Sequence, residues 1–402
     1  MPSQRVGWKK TEREANGNPP FARIKQKQEA RKEFAVRLIS LRLNDFRNYE
    51  QEEVFWHPRL NVISGSNAQG KTNLLEAVSY LGLAASFRDA PDHELIRWQK
   101  ELFFIEGEAE SLSGSLLISA AYNREKRKNW KINGQTKDKY NDIFGNFHTV
   151  TFSPEDLYLV KSGPEARRRF LNREMVQLYP DFCSLLTRYG KVLRQRNALL
   201  KENSFSAGEL APWDEQLADL GSRLILRRHE TILRLEPLAE QAHRFLSAGA
   251  EELSLSYATL AAPQKLTRMR LEDLKDFFTA ELARLAAAER LRGTTLAGPH
   301  RDDLLVRIDG REARSFASQG QQRTAVLSLK LAELSLAENV RGETPVLLLD
   351  DVMSELDPER RRQLLGLILG RAQTFITGTE IEFDPAEGKK FLVEAGKIRE
   401  QI

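Results

Sequence analysis

Apolar and polar residues alternate along VRLISLRL, residues 36–43, the period of a half-buried strand. VFWHPRLNVIS, residues 54–64, continues in strand-like residues and ends at a glycine loop. From Thr72 the period changes, and Leu74, Leu75, Val78, Leu81 and Leu83 predict a buried helix. Residues 102–150 return to β patterning, with Asn133-Gly134 as a hairpin turn; Asp309-Gly310 repeats the signal inside LLVRIDGRE. Between them lies a helical block. Phe182, Leu185, Leu186, Tyr189, Val192, Leu193 and Leu200 share one helical face. Leu217, Leu220 and Leu224, then Leu271, Leu274, Phe278, Leu282 and Leu285, predict two more helices. Pro180, Pro212, Pro237 and Pro263 are read as punctuating the block, and LSLSYAT at 253–259 as one strand interrupting it. TPVLLLDD, 344–351, is an unbroken apolar run closed by two aspartates, typical of a strand covered on both faces. TFIT (374–377) and KFLVEAGKI (390–398) predict further strands. There is no internal repeat and no heptad run long enough for an extended coiled coil.

The chain of 402 residues can bury a large core, and its 41% hydrophobic and 29% charged content reads as soluble and globular. No apolar run approaches the ~20 residues of a membrane helix, so no membrane partner is expected. Residues 1–30 show no secretory h-region. The single cysteine, Cys183 in DFCSLL, excludes an intramolecular disulfide, fits a reducing cytosol and is read as a small buried hydrophobe. The formal charge of +4 is unevenly placed. Residues 1–33 hold nine Lys/Arg and four Glu, leaving 52 Lys/Arg against 53 Asp/Glu elsewhere. Residues 1–34 are therefore read as a basic, disordered tail, either inert or touching DNA.

Candidate chemistry starts at Gly65-Ser66-Asn67-Ala68-Gln69-Gly70-Lys71-Thr72, which fits G-x-x-x-x-G-K-[ST] between a strand and a helix. Successive backbone N–H groups there form an anion-binding concavity, and the helix adds its positive end. Lys71 can reach the β- and γ-phosphates of ATP, and the Thr72 hydroxyl can ligate Mg²⁺. Asp350, closing the apolar strand, is a second Mg²⁺ ligand; Asp351 could orient or deprotonate the attacking water. The bland reading is a pair of carboxylates that merely start a turn. Ser318-Gln319-Gly320-Gln321 precedes an apolar helical face of Val326, Leu327, Leu331 and Leu334. With Ser318 as N-cap, the helix start is a second anion site, weak by itself and stronger in this order of motifs.

That order, phosphate loop, S-Q-G-Q, Asp strand and SELD, resembles the ABC-type ATPase heads of the SMC class. LNDFRNYE, GSNAQGKTNLLEA, FSPEDL, RRRFLN, YGKVLRQRNALL, GPHRDDL, SQGQQRTAVLSLKLAE and PVLLLDDVMSELD, spread over about 38–379, together resemble the RecF family of bacterial recombination mediators. The resemblance implies an α/β, ABC-type P-loop ATPase head, with mixed or parallel sheets around the P-loop helix, an inserted helical lobe and no long coiled coil. The head is expected over 35–155 and 295–402 and the mainly helical lobe over 156–294. It further implies a weak, DNA-stimulated ATPase of recombinational repair and replication-fork maintenance. ATP would drive homodimerisation, with Ser318, Gln319, Gly320 and Gln321 of one copy reaching the γ-phosphate held by Lys71 of the other. Implied partners are duplex and single-stranded DNA at gap junctions, other recombination mediators and the recombinase, in the cytoplasm at the nucleoid. The rival reading is the ATPase subunit of an ABC transporter; a P-loop kinase and a GTPase fit less well.

The chain departs from the wider pattern at several points. Asp351 replaces the usual Glu, which fits slow hydrolysis. Thr377, Gly378 and Thr379 stand where a switch histidine is expected, with Thr379 as the candidate sensor. Ala68 replaces a frequent Gly, so its φ is expected below zero. Asn172 replaces an Asp, with no consequence assigned. By resemblance Arg47 lies near the nucleotide, a structural salt bridge being the alternative; His300 is read as structural rather than catalytic. Arg167, Arg168 and Arg169, and a helical face with Arg188, Lys191, Arg194 and Gln195, are candidate DNA contacts or solvated surface.

Overall fold

The computed structural model describes residues 36–125, 127–202, 207–379 and 387–401. The tail predicted for residues 1–34 lies outside the described residues.

Two six-stranded sheets enclose one helix. The first is antiparallel: β1 (Arg37–Phe46), β2 (Tyr49–Phe55), β4 (Leu102–Ser111), β5 (Gly114–Asn123), β6 (Lys128–Ile132) and β7 (Gln135–Lys137), in the order β2-β1-β4-β5-β6-β7. The second is mixed: β3 (Leu60–Ser64), β8 (Thr149–Phe152), β12 (Val346–Leu349), β13 (Thr374–Gly378), β14 (Gly388–Glu394) and β15 (Lys397–Gln401), ordered β15-β14-β3-β13-β12-β8. All its pairings are parallel except the β14–β15 hairpin. Helix α1 (Lys71–Leu83) packs on β1, β4 and β5 from one side and on β8 and β13 from the other. A helix with apolar surroundings on both sides needs no polar stripe. Leu74, Leu75, Ala77, Val78, Tyr80 and Leu81 are accordingly all buried.

The helical region contains α2 (Pro164–Leu178), α3 (Pro180–Glu202), α4 (Ala207–Leu246) and α5 (Leu271–Arg292). Pro180 sits at the first position of its helix and Pro263 at the first position of a four-residue helix, as punctuation. Pro212 and Pro237 do not punctuate: both lie inside α4, a single 40-residue helix. A proline inside a helix removes a hydrogen bond and clashes with the preceding turn. Here α4 continues because Leu217, Leu224, Ile225, Ile232, Leu235 and Ala239 are buried along its length against neighbouring helices. Arg196 of α3, also fully buried, donates to Asp214 (2.6 Å), Glu289 (2.7 Å) and Thr295 (2.8 Å), tying α3, α4 and the end of α5 together.

The alternating segment at 253–259 does form a strand, β9 (Leu253–Ala258). It pairs with β10 (Asp303–Ile308), and β11 (Arg311–Glu312) completes a three-stranded sheet. A strand within the helical segment is thus hydrogen-bonded to one from the later segment. Asn133 and Gly134, and Asp309 and Gly310, all have positive φ, as the predicted two-residue hairpin turns require. Helix α6 (Gln319–Arg341) runs against α4, and α7 (Pro358–Ile368) follows β12.

Candidate functional site

Parallel pairing decides what meets at the site. Leu349 of β12 pairs with Ile376 of β13, so the next residues, Asp350 and Thr377, emerge side by side; β3 on the far side of β13 delivers the phosphate loop to the same edge. Thr377 Oγ1 donates to Asp350 Oδ1 at 2.8 Å, and Thr72 Oγ1 donates to the same oxygen at 2.9 Å. Thr377 Oγ1 also accepts the Asp351 N–H at 2.9 Å. Burial raises the Asp350 carboxyl above its ordinary pKa; the two hydroxyl donors oppose that, while the charges of Asp351 and Glu155 add to it. Glu155, on the turn after β8, is therefore a neighbour of the site that sequence reading did not single out.

The loop itself is a tight backbone curve. Gly65 (φ 145°) and Gly70 (φ 118°) occupy conformations closed to other residues, and a Cβ at Gly65 would sit 2.4 Å from the Val393 carbonyl oxygen. Ala68 contradicts its expectation: φ is +63°, in the left-handed region. The curvature that aims successive N–H groups inward dictates that angle, and the alanine adopts it at a cost of ~1–2 kcal/mol. Lys71 is buried, and its Nζ donates to the carbonyls of Gly65 (2.7 Å) and Ser66 (2.9 Å).

Residues missed at first hold this loop from outside. Asn48 Nδ2 donates to the Gln69 carbonyl (2.8 Å), and the Tyr49 hydroxyl donates to the Gly70 carbonyl (2.9 Å). Asn48 lies in the turn between β1 and β2 and Tyr49 opens β2, within an FRNYE segment read only for its arginine. Arg47 instead grips Glu76 on α1 with two bonds, 2.7 and 2.9 Å, and donates to the Glu94 carbonyl; no described bond joins it to the loop.

Ser318 caps α6 as expected. Its Oγ accepts from Gln321 N (3.2 Å), and Gln321 Oε1 accepts from Ser318 N (2.8 Å), a reciprocal capping box. Gln319 and Gly320 form the first turn. None of these four residues has a described bond to residues 65–72. Asp351 has a φ of 53°. Thr379 is exposed and without a described bond; the hydroxyl that reaches the Asp350 carboxylate belongs to Thr377.

His300 is structural in its contacts: Nδ1 lies 2.7 Å from the Tyr189 hydroxyl and Nε2 3.2 Å from the Thr295 carbonyl, and burial lowers its pKa to about 4. Asn172 Oδ1 accepts from Arg228 (2.9 Å). Arg167 departs from its reading as a DNA contact. It is buried in a two-bond pair with Asp303 (2.7 and 2.8 Å), since its place near the start of α2 faces β10. Arg168 donates to the Asp302 carbonyl, and Arg169 is paired with Asp89. On α3, Arg188, Lys191, Arg194 and Gln195 are exposed along one face, without an acidic partner among the described residues. Cys183 is half-buried against the core, and burial raises its thiol pKa.

The donor set fits a magnesium nucleotide: a hydroxyl and a buried carboxylate offer hard oxygens beside a loop built for phosphate.

Comparison with known proteins agrees with this chemistry. The family described as RecF/RecN/SMC N terminal domain matches residues 37–383. The protein named DNA replication and repair protein RecF from Symbiobacterium thermophilum is 42% identical over 372 residues, spanning 90% of this chain and 97% of its own. Its namesake from Bacillus subtilis is 40% identical over 347 residues, 85% of this chain and 93% of its own. A solved structure of the recombination mediator protein RecF-ATP in the RecFOR pathway superposes with a TM-score of 0.86 at 33% identity, covering 92% of this chain and 98% of that one. An Smc head bound to the C-terminal winged-helix domain of ScpA shares the fold alone, at 14% identity and a TM-score of 0.52.

Proposed function

Because this chain belongs to the RecF family, within the RecF/RecN/SMC N-terminal group, we propose that it is an ATP-dependent DNA replication and repair protein acting as a two-copy clamp on DNA. It binds ATP and is an ATPase of the ABC-head type. The observation that carries the reading is the meeting of phosphate loop, Thr72, Asp350 and Thr377 at one sheet edge, in a chain this similar to RecF along its whole matched length.

Gly65 to Thr72 embrace the phosphates, and Lys71 turns its ammonium from the loop carbonyls onto the β- and γ-phosphates. Thr72 and Asp350 would hold Mg²⁺, which when bound neutralises charge on the phosphate oxygens. Asp351, aimed by Thr377, orients the attacking water. Its short carboxylate suits slow turnover, which DNA stimulates. Ser318 to Gln321 of a second copy complete the site from the other side of the γ-phosphate. ATP is then shared between two subunits, and hydrolysis removes the shared contact. DNA is gripped through its backbone, by structure rather than sequence, with the exposed α3 face as candidate contact. The clamp assists other mediators in loading recombinase beside single-stranded gaps in the cytoplasm. The head is formed by 35–155 and 295–402, with the mainly helical lobe of 156–294 inserted.

Sedimentation of three full-length proteins tests this. Wild type should dimerise with ATP, Lys71→Met should bind no nucleotide, and Ser318→Arg should bind ATP and stay monomeric. Normal ATP-dependent dimerisation by Ser318→Arg would overturn the shared site.

A further inference from the structure

The C-terminal hairpin reaches back over the phosphate loop. Its turn, Ala395-Gly396, has both residues in the left-handed region, φ 47° and 74°. Ala395 N–H donates to the Gln69 side-chain oxygen at 2.6 Å, and Gly396 N–H donates to the Gln69 carbonyl at 3.3 Å. Asn48 Nδ2 donates to that same carbonyl from the opposite element at 2.8 Å. The approach is close enough that a Cβ on Gly396 would lie 2.3 Å from the Asn48 carbonyl oxygen.

A trans peptide points its C=O and the following N–H in opposite directions, and no described peptide is cis. Two outside donors fix the Gln69 carbonyl away from the loop, so the Gly70 N–H is turned into it. The Gly70 carbonyl of the next peptide is held by the Tyr49 hydroxyl at 2.9 Å together with the Leu74 N–H of α1 at 3.0 Å, which turns the Lys71 N–H inward. Tyr49 is wholly buried, and burial raises its pKa, so the hydroxyl stays a donor. The two peptides that close the loop are thus oriented by groups that never touch phosphate.

We propose that Gln69, Tyr49 and the Ala395-Gly396 turn are positioning residues that set the Gly70 and Lys71 amides for the nucleotide's β-phosphate. The inference rests on the nucleotide reading above. It gives the C-terminal hairpin a role in affinity as well as in closing the sheet edge. It also gives the half-buried Gln69 side chain a task, since an acceptor is needed there to receive the Ala395 N–H.

The test uses full-length protein carrying Tyr49→Phe or Gln69→Met, with calorimetric binding of ADP and of AMP, and melting of the nucleotide-free proteins. Each lost bond should weaken ADP by about 3- to 10-fold. AMP, which lacks the β-phosphate, should be nearly unaffected, so the preference for ADP over AMP shrinks. Gln69 is only half-buried, so Gln69→Met keeps the test valid if the buried Tyr49→Phe change lowers the melting temperature. An unchanged ADP-to-AMP preference in both variants, beside a wild type that binds ADP, would overturn this inference alone. A wild type that binds no ADP would overturn the nucleotide reading and this inference with it.

Discussion

Thr377 places one hydroxyl between the carboxylate of Asp350 and the backbone of Asp351, donating to the first and accepting from the second. Its removal should disturb both the proposed ligand oxygen of Asp350 and the proposed water-orienting residue Asp351 while leaving the phosphate loop intact. Thr377→Val, nearly isosteric, is predicted to lower steady-state ATP hydrolysis by at least ~10-fold, the usual effect of losing a group that supports a metal ligand. ATP affinity measured without metal should change less than threefold by the same argument. Full turnover in this variant would remove Thr377 from the site. The contiguous phosphate loop was legible in the sequence, as were Asp350 at the strand end and Ser318 as a cap, because each follows from local pattern. Thr377 was not. Its role depends on β13 lying beside β12 in one register, which no local pattern encodes. The residue read from the sequence as candidate sensor was Thr379, which lies just past the end of β13. The same limit hid Asn48 and Tyr49, whose partners lie 21 residues away.

At the scale of elements, the patterns that lasted were those with a clear period or a turn pair. β1, β3, α1, β12 and both two-residue hairpins stand where alternation, apolar runs and Asn-Gly or Asp-Gly placed them. Pro212 and Pro237 misled because a breaker acts against local helix only. In α4 the buried face along its length outweighs the lost hydrogen bonds of Pro212 and Pro237. Arg196 was equally opaque: in VLRQRNALL it looks like one more solvated cation, whereas it is the buried centre that joins three helices. Arg196→Met should destabilise the protein by about 3–5 kcal/mol, because Glu289 would remain buried without its partner. Urea unfolding of the nucleotide-free protein measures this. A change below ~1 kcal/mol would mean that water reaches Glu289 and that the network is not a structural centre.

For the whole molecule, the proposed function divides one site between two places in the chain. The phosphate loop sits at one sheet edge, and the capped start of α6 has no described bond to it. The account therefore centres on two copies exchanging those halves across ATP. Mixing Lys71→Met with Ser318→Arg tests that exchange most directly. In a mixed pair, one site combines an intact loop from the Ser318→Arg copy with an intact helix start from the Lys71→Met copy. The account predicts that the mixture regains ATP hydrolysis and ATP-dependent pairing that neither variant has alone. A mixture no more active than the sum of its two inactive components, beside an active wild type, would contradict it.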